Sequence, residues 1–215
     1  MDGENRTNIM YENIVPMKVD HVKSVVDVHL QSFPGFFLTF LGRGFLSELY
    51  RGIVKDPSGI AFVALADERV IGFVAGTDHP SGFYSRLIVK HWWRFAITSL
   101  PAVIKDPSTL FRLFRALSMP RQVTQEKGRC TLMSIAVRPA EQKRGVGRPL
   151  VRAFLGEAVK RGLQQVDLTT DKLNNDSVNH FYLQQGFSYS RSFVTPEGRE
   201  MNEYILDLGV FSALL

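Results

Sequence analysis

Between Val137 and Leu150 the chain reads Val-Arg-Pro-Ala-Glu-Gln-Lys-Arg-Gly-Val-Gly-Arg-Pro-Leu. An apolar strand pattern ends at Val137, a basic loop with two glycines follows, and a helical pattern begins at Pro149. Backbone N–H groups at a helix start point outward and carry the positive end of the helix dipole. Gly145 and Gly147 let the backbone approach a ligand closely. Lys143, Arg144 and Arg148 add charge. The chemistry suited to such a loop is the binding of a pyrophosphate. It is not a Walker A loop, because Arg148 and Pro149 follow Gly147 where Lys and Ser or Thr are needed. It is a poor dinucleotide fingerprint as well: Leu150 replaces the third glycine, and residues 138–144 separate strand from glycine where a tight turn is required. The bland reading is an ordinary basic strand-to-helix loop.

A second segment follows downstream. Asn175, Val178, Phe181, Tyr182, Gly186 and Phe187 stand at fixed spacing on a short helical pattern that Gly186 can cap. The two segments together, Gln142-x-x-Gly145-x-Gly147 and Asn175-x-x-Val178-x-x-Phe181-Tyr182-x-x-x-Gly186-Phe187, resemble the GNAT acetyltransferase superfamily. Val178 stands in the usual Ala place, and Pro149 in the place of a small residue, which removes one N–H donor. The resemblance spans 130–187, is supported by element order over 11–77 and 187–208, and leaves 78–129 uncovered.

The resemblance implies acetyl-CoA as co-substrate and no metal. It implies two splayed strands, Thr131–Val137 and Gln165–Thr170, with the thioester arm between them. It assigns the backbone of Ile135, Ala136 and Val137 to the pantetheine arm and acetyl carbonyl. The pyrophosphate falls to Gln142, Lys143, Arg144, Gly145, Val146, Gly147 and Arg148, and the CoA arm to Asn175. Tyr182 becomes the general acid for the departing thiolate, a phenol of pKa about 10 being a reasonable match; the alternative is a core aromatic. Acyl transfer also requires the acceptor ammonium to lose a proton. Asp78, His79, Glu126 and Asp171 are candidate bases, each with a competing reading as a solvated loop or cap residue, and a water chain is a further route. Cys130 reads as a small buried hydrophobe. His21, His29, His91 and His180 are scattered and form no metal cluster.

These residues need elements to position them. Tyr11–Met17 predicts a strand. Asp20 predicts a helix N-cap, followed by Val22, Val25, Val26 and His29 on one helical face. Leu41, Phe45, Leu49 and Ile53 line a second helix. Ile60–Ala66 and Val70–Thr77 are strands joined by a hairpin at Asp67-Glu68-Arg69. After the excursion 78–129 come a strand, the helix 149–161, a strand at Gln165–Thr170, the helix 176–185 and two final strands. The expected class is α/β, a GNAT fold with a mixed, mostly antiparallel sheet. Residues 1–215 form one domain interrupted by a helical insertion between the third and fourth strands.

The 215 residues are 45% hydrophobic and 22% charged, which excludes disordered, collagenous and coiled-coil chains. A single cysteine forbids an internal disulfide and fits a reducing compartment. The polar N-terminus lacks a secretory h-region, and the longest apolar stretch, Phe95–Ile104, is half a membrane span and broken by Pro101; the expected location is cytoplasmic. Residues 79–129 carry nine bases and two acids, a net of +7, while the remainder is −2. In that segment Trp93, Ala96, Ile97 and Leu100 predict an apolar helix face packed on the sheet. Arg86, Lys90 and Arg94 predict a basic stripe on the same candidate helix. Asp106-Pro107 then predicts the start of a second amphipathic helix, with Leu110, Leu113, Phe114 and Leu117 on its apolar face. The acceptor is expected to be a small primary amine, an amino sugar or nucleotide-linked amino sugar being favoured. Arg86, Lys90, Arg94 and Arg112 would meet its anionic part, and Tyr84, Trp92 and Trp93 would stack on its ring. Rival readings are a protein or peptide acetyltransferase, a non-catalytic acetyl-CoA sensor, and a module that meets a membrane surface through 83–117. Nucleic-acid binding has no supporting motif. The expected state is monomer or homodimer.

Overall fold

The hairpin of β2 (Gly59–Ala66) and β3 (Arg69–Thr77) turns through two residues, Asp67 and Glu68, with φ of 48° and 62°. Two successive positive φ values give the primed turn whose twist matches the flanking strands. The computed structural model describes residues 13–90, 92–105, 128–195 and 198–209. Strand β1 (Asn13–Pro16) pairs with the far edge of β2. Helices α1 (Val22–Ser32), α2 (Phe37–Phe40) and α3 (Gly42–Lys55) connect β1 to β2. After β3 come α4 (Phe83–Lys90) and α5 (Trp92–Lys105), then β4 (Arg129–Val137), α6 (Gly147–Lys160), β5 (Gln165–Asp171), α7 (Asp176–Gln184), β6 (Ser188–Val194) and β7 (Glu200–Asp207). The seven-stranded sheet runs β1-β2-β3-β4-β5-β7-β6, with β4–β5 its one parallel pair. The expected α/β class, mixed sheet and helical insertion are therefore present.

Two apolar layers hold the sheet. On one face Val25, Val26, Phe45, Leu46 and Leu49 pack on Phe73 and Ala75. On the other, Leu150, Val151, Phe154 and Leu155 of α6 pack on Ile60, Val74, Leu132 and Leu168. The sheet is thus covered by helices on both sides of β2–β4.

Gly76 shows how tightly the second layer is built. A Cβ there would stand 2.2 Å from the Thr131 carbonyl oxygen and 2.7 Å from the Phe154 ring. Neither a paired strand backbone nor a fully buried ring can retreat by that much. Gly76→Ala is expected to cost about 3 kcal/mol or more, a fall in Tm of roughly 6–12 °C for a chain of this size. Thermal melting followed by circular dichroism checks it.

Two local expectations are corrected. Asp20 does not cap α1: a 3-10 turn, Val19–His21, precedes the helix, and the His21 Nδ1 accepts the Lys18 N–H at 3.1 Å. In α5 the expected face is reversed. Trp93, Ile97 and Leu100 face solvent, while Phe95 is buried against Phe45, with ring centroids 5.0 Å apart. Thr98 meets α3 at Gly44, where a Cβ would lie 3.1 Å from the threonine side chain. The absent side chain at Gly44 lets α5 settle on α3 through its narrower Phe95–Thr98 side. The helix expected after Asp106-Pro107, with Leu110, Leu113, Phe114 and Leu117, lies outside the described residues, as do His91, Arg112 and Glu126.

Candidate active site

Strands β4 and β5 pair over three positions only: Arg129↔Gln165, Cys130↔Val166 and Thr131↔Asp167. The last pair is locked by the buried Thr131 hydroxyl, which donates to Asp167 Oδ1 at 2.6 Å. Beyond it β4 continues to Val137 paired only with β3, and β5 to Asp171 paired only with β7. A bulge contributes to the divergence. Ala75 faces Ser134 and Gly76 faces Leu132, so Met133 has no partner in β3; a bulge bends its strand and sharpens its twist.

The wedge exposes backbone in the middle of a sheet. The Arg138 N–H donates to the Ile71 carbonyl at 2.8 Å. Hydrogen-bonded and non-bonded pairs alternate along an antiparallel ladder. With Ala136 opposite Phe73 and Ser134 opposite Ala75, the N–H groups of Ile135 and Val137 turn away from β3 into the wedge. Such groups need a partner. The Val137 carbonyl already has two: Ser32 Oγ and Gln142 Nε2 each donate to it at 3.2 Å.

The glycine loop leaves the wide end of this wedge. A 3-10 turn at Pro139–Glu141 leads to Gln142, Lys143 (φ 63°) and Gly145 (φ 84°). Buried Val146 anchors the loop, and α6 starts at Gly147 with no side chain capping its first turn. A Cβ on Gly145 would meet nothing within 4 Å, whereas one on Gly147 would lie 3.3 Å from Phe181. The backbone over Gly145 is therefore open, and Gly147 joins the loop to α7. Lys143 and Arg148 are exposed; Arg144 pairs with Glu141 at 2.7 Å. This arrangement fits a pyrophosphate: an uncapped helix start, an open glycine and cations around it.

Helix α7 is moored to the end of β5. Asn175 and Asn179 each donate an Nδ2 hydrogen bond to the Asp171 carbonyl, at 3.2 and 3.3 Å, and Thr170 donates to Asn179 Oδ1 at 2.5 Å. Sequence reasoning missed Asn179, although its place one turn after Asn175 is a usable signal. Gly186, at φ 90°, ends the helix as expected. The Tyr182 ring is buried among Phe181, Phe187 and Tyr204, with centroids 5.3, 5.6 and 6.4 Å away. Its hydroxyl makes no hydrogen bond with the described residues, and the side chain as a whole is buried. Burial raises the phenol well above its usual pKa, further from a thiol than the sequence alone suggests, and keeps it protonated.

Of the candidate bases, Asp78 and Asp171 are held in ion pairs, His79 is exposed, and Glu126 lies outside the described residues. Asp78 is ion-paired with Arg161 at 2.7 Å and bonded to His79 at 3.2 Å. Asp171 is held in a fork by Arg199, at 2.6 and 2.8 Å. The Arg199 guanidinium also lies 5.1 Å over the Phe36 ring. Phe36 follows α1, whose end is fixed to the end of β4 by Ser32. Phe36, Arg199 and Asp171 thus run as a strap from the β4 side of the wedge to the β5 side. Nothing in the spacing of Arg199 announces this; it stands in the β6–β7 connection, far from either motif. Cys130 is a buried free thiol, pushed up to about 12 by burial and by the Asp167 carboxylate, consistent with a packing role. No metal-ligating cluster occurs among the described residues.

A buried polar chain lies beside the bulge. His29 Nδ1 stands 2.7 Å from the Tyr50 hydroxyl, which donates to Ser134 Oγ at 3.5 Å, and His29 Nε2 has no hydrogen-bond partner among the described residues. The apolar helical face of Val22, Val25 and Val26 already points to His29 as an inward residue. Burial lowers its pKa to about 4. The unfolded state, near 6.5, therefore binds the proton first. Stability is full above about pH 6.5 and falls by up to about 3 kcal/mol as pH drops toward 4. Urea titrations across that window are expected to show the loss, and His29→Gln to flatten it.

Arg86 donates to the Ser81 and His79 carbonyls, and Arg94 reaches Glu48 of α3 at 3.4 Å. Neither contacts the wedge among the described residues. Lys90 belongs to α4 by its backbone, and its side chain lies outside the described residues.

An uncapped, glycine-opened helix start lies at the wide end of a parallel wedge whose backbone donors turn inward, an arrangement able to take a phosphate group and the arm that leads from it. Residues 24–187 match the acetyltransferase (GNAT) family, and the chain belongs to it. It is a GNAT N-acetyltransferase, with acetyl-CoA as co-substrate. No curated protein sequence matches it significantly. Among solved structures, the Escherichia coli ribosomal-protein-S18-alanine N-acetyltransferase is 14% identical, with TM-score 0.56 over 91% of this chain and 93% of that one. Aminoglycoside 6′-acetyltransferase type Ii is 14% identical, with TM-score 0.58 over 91% and 97%. Mutant forms of the Vibrio cholerae spermidine/spermine N-acetyltransferase are 12% identical, with TM-score 0.57 over 94% and 96%. These likenesses show a shared fold. Among the described residues no helix is long and apolar enough to cross a membrane.

Proposed function

We propose that the enzyme acetylates a primary amine on a small acceptor, by direct transfer within a ternary complex. The observation that carries this reading is the wedge, closed at three pairs and lined by the inward N–H groups of Ile135 and Val137. These two groups, with Ala136 between them, hold the pantetheine arm and the acetyl carbonyl. Gln142, Lys143, Arg144, Gly145, Val146, Gly147 and Arg148 hold the pyrophosphate, with one donor fewer than usual because Pro149 has no N–H. Asn175 steadies the end of β5 beside the arm.

The amine nitrogen attacks the thioester carbonyl carbon and the C–S bond breaks. The Tyr182 hydroxyl gives its proton to the leaving thiolate, and the acylated ammonium gives one up. Water in the wedge takes that second proton and returns one to the Tyr182 phenolate, which restores the acid. The strap favours a small acceptor, since Arg199 over Phe36 bridges the mouth that an extended peptide would have to cross. An amino sugar, free or nucleotide-linked, is the favoured class. Thioester consumption measured over amino sugars, polyamines, amino acids and peptides tests this. Faster turnover on a peptide than on every small amine overturns the acceptor assignment, and CoA binding without turnover on any amine overturns catalysis.

A further inference from the structure

Helix α5 is apolar on both sides. Phe95 packs inward, yet Trp93, Ile97, Leu100 and Ile104 form a second stripe at i, i+4, i+7 and i+11. With Trp92 and with Val89 of α4, these side chains are 50–73% exposed, and none of the described residues covers them. A contiguous apolar face of this kind marks an interaction site. Its charge setting narrows the partner. No acid occurs between Asp78 and Asp106, while Arg86, Lys90, Arg94 and Lys105 do. Arg94 lies over the Trp93 ring at 5.0 Å, at the border of the stripe, and is only loosely shared with Glu48 at 3.4 Å. Arg86 is held by carbonyls, which leave its charge uncompensated.

We propose that the outer face of α4–α5 docks on an anionic lipid surface. The apolar stripe enters the boundary between headgroups and acyl chains, and Arg94 at its border meets a lipid phosphate. A helix lying in that plane needs an apolar face, aromatic residues suited to the interface and flanking cations, and each base near an anionic surface adds about 1 kcal/mol. A second copy fits less well, because a two-fold contact sets the same basic flank against itself.

Both tryptophans of the chain, Trp92 and Trp93, are exposed at the start of α5, Trp93 on the stripe and Trp92 beside it, so intrinsic fluorescence reports this end of the helix alone. With the full-length protein, phosphatidylglycerol-containing vesicles are expected to shift the emission to the blue, brominated lipid to quench it, and the protein to sediment with the vesicles. Phosphatidylcholine vesicles are expected to do little, and high salt to weaken the binding. Ile97→Ser with Leu100→Ser is expected to lower the partition coefficient roughly tenfold or more with Tm unchanged. An unshifted, unquenched spectrum overturns the proposal without any variant. So does a double variant that melts lower yet binds vesicles equally, which would place the face inside the folded chain. A dimer in sedimentation velocity that the double variant dissolves, without vesicle binding, assigns the face to a second copy. Acetyl transfer to soluble amines is independent of every one of these outcomes.

Discussion

Tyr182→Phe is expected to lower kcat by about 10²–10⁴-fold, the range for loss of a general acid, with little change in the KM for acetyl-CoA. The change removes one oxygen. The ring contacts with Phe181, Phe187 and Tyr204 remain, and the lost hydroxyl makes no hydrogen bond with the described residues. Tm is therefore expected to stay near wild type, which separates a chemical role from a packing one. The raised phenol pKa adds a second check. Tyr182 stays protonated beyond its usual value near 10, so the wild-type alkaline limb is expected to show no loss of activity from its ionisation up to pH 10. Steady-state kinetics across pH measures both. An unchanged kcat in Tyr182→Phe would mean that solvent protonates the thiolate and that Tyr182 is a core aromatic.

Gly145→Val is expected to weaken CoA binding by roughly a hundredfold or more while sparing the fold. Two effects add. A β-branched residue held at φ 84° is strained by about 1–3 kcal/mol, and the loop escapes the strain by moving off the geometry that faces its N–H groups outward. The new side chain also enters the open space above the backbone, where no protein atom lies within 4 Å and where the pyrophosphate is proposed to sit. Calorimetric titration with CoA reads the affinity. Gly147→Val differs, since it presses on Phe181 and disturbs α7 as well. Equal affinity in Gly145→Val and wild type would remove the loop from the site.

Residues that act through local spacing were legible in the sequence. The glycine loop and the Asn175–Phe187 segment pointed to their elements because each is a contiguous run with its own turn residues. The strands and helices around them followed from periodicity. The bulge at Met133 was not legible, because nothing in Thr-Leu-Met-Ser-Ile departs from an ordinary strand; the extra residue exists only relative to β3. The strap was hidden for a similar reason, since Phe36, Asp171 and Arg199 come from two connections and a strand end that are far apart in the sequence. In α5 the period was right and the side was wrong. A helix apolar on both faces fixes its own repeat, and the glycine at position 44 of another helix decided which face went inward.

The three-pair junction ending at Thr131–Asp167 divides the sheet into two leaves of unequal strength. One leaf, β1–β4, is clasped between α1 and α3 on one side and α6 on the other. The other leaf, β5, β7 and β6, carries the edge strand β6, whose side chains are almost all exposed. Amide exchange should therefore run faster through the second leaf than the first. A ligand that lies in the wedge and touches both leaves stitches the seam, slowing exchange in β5 and β7 and adding stability as its concentration rises above Kd. The enzyme's weakest mechanical line and its reaction cleft are the same line.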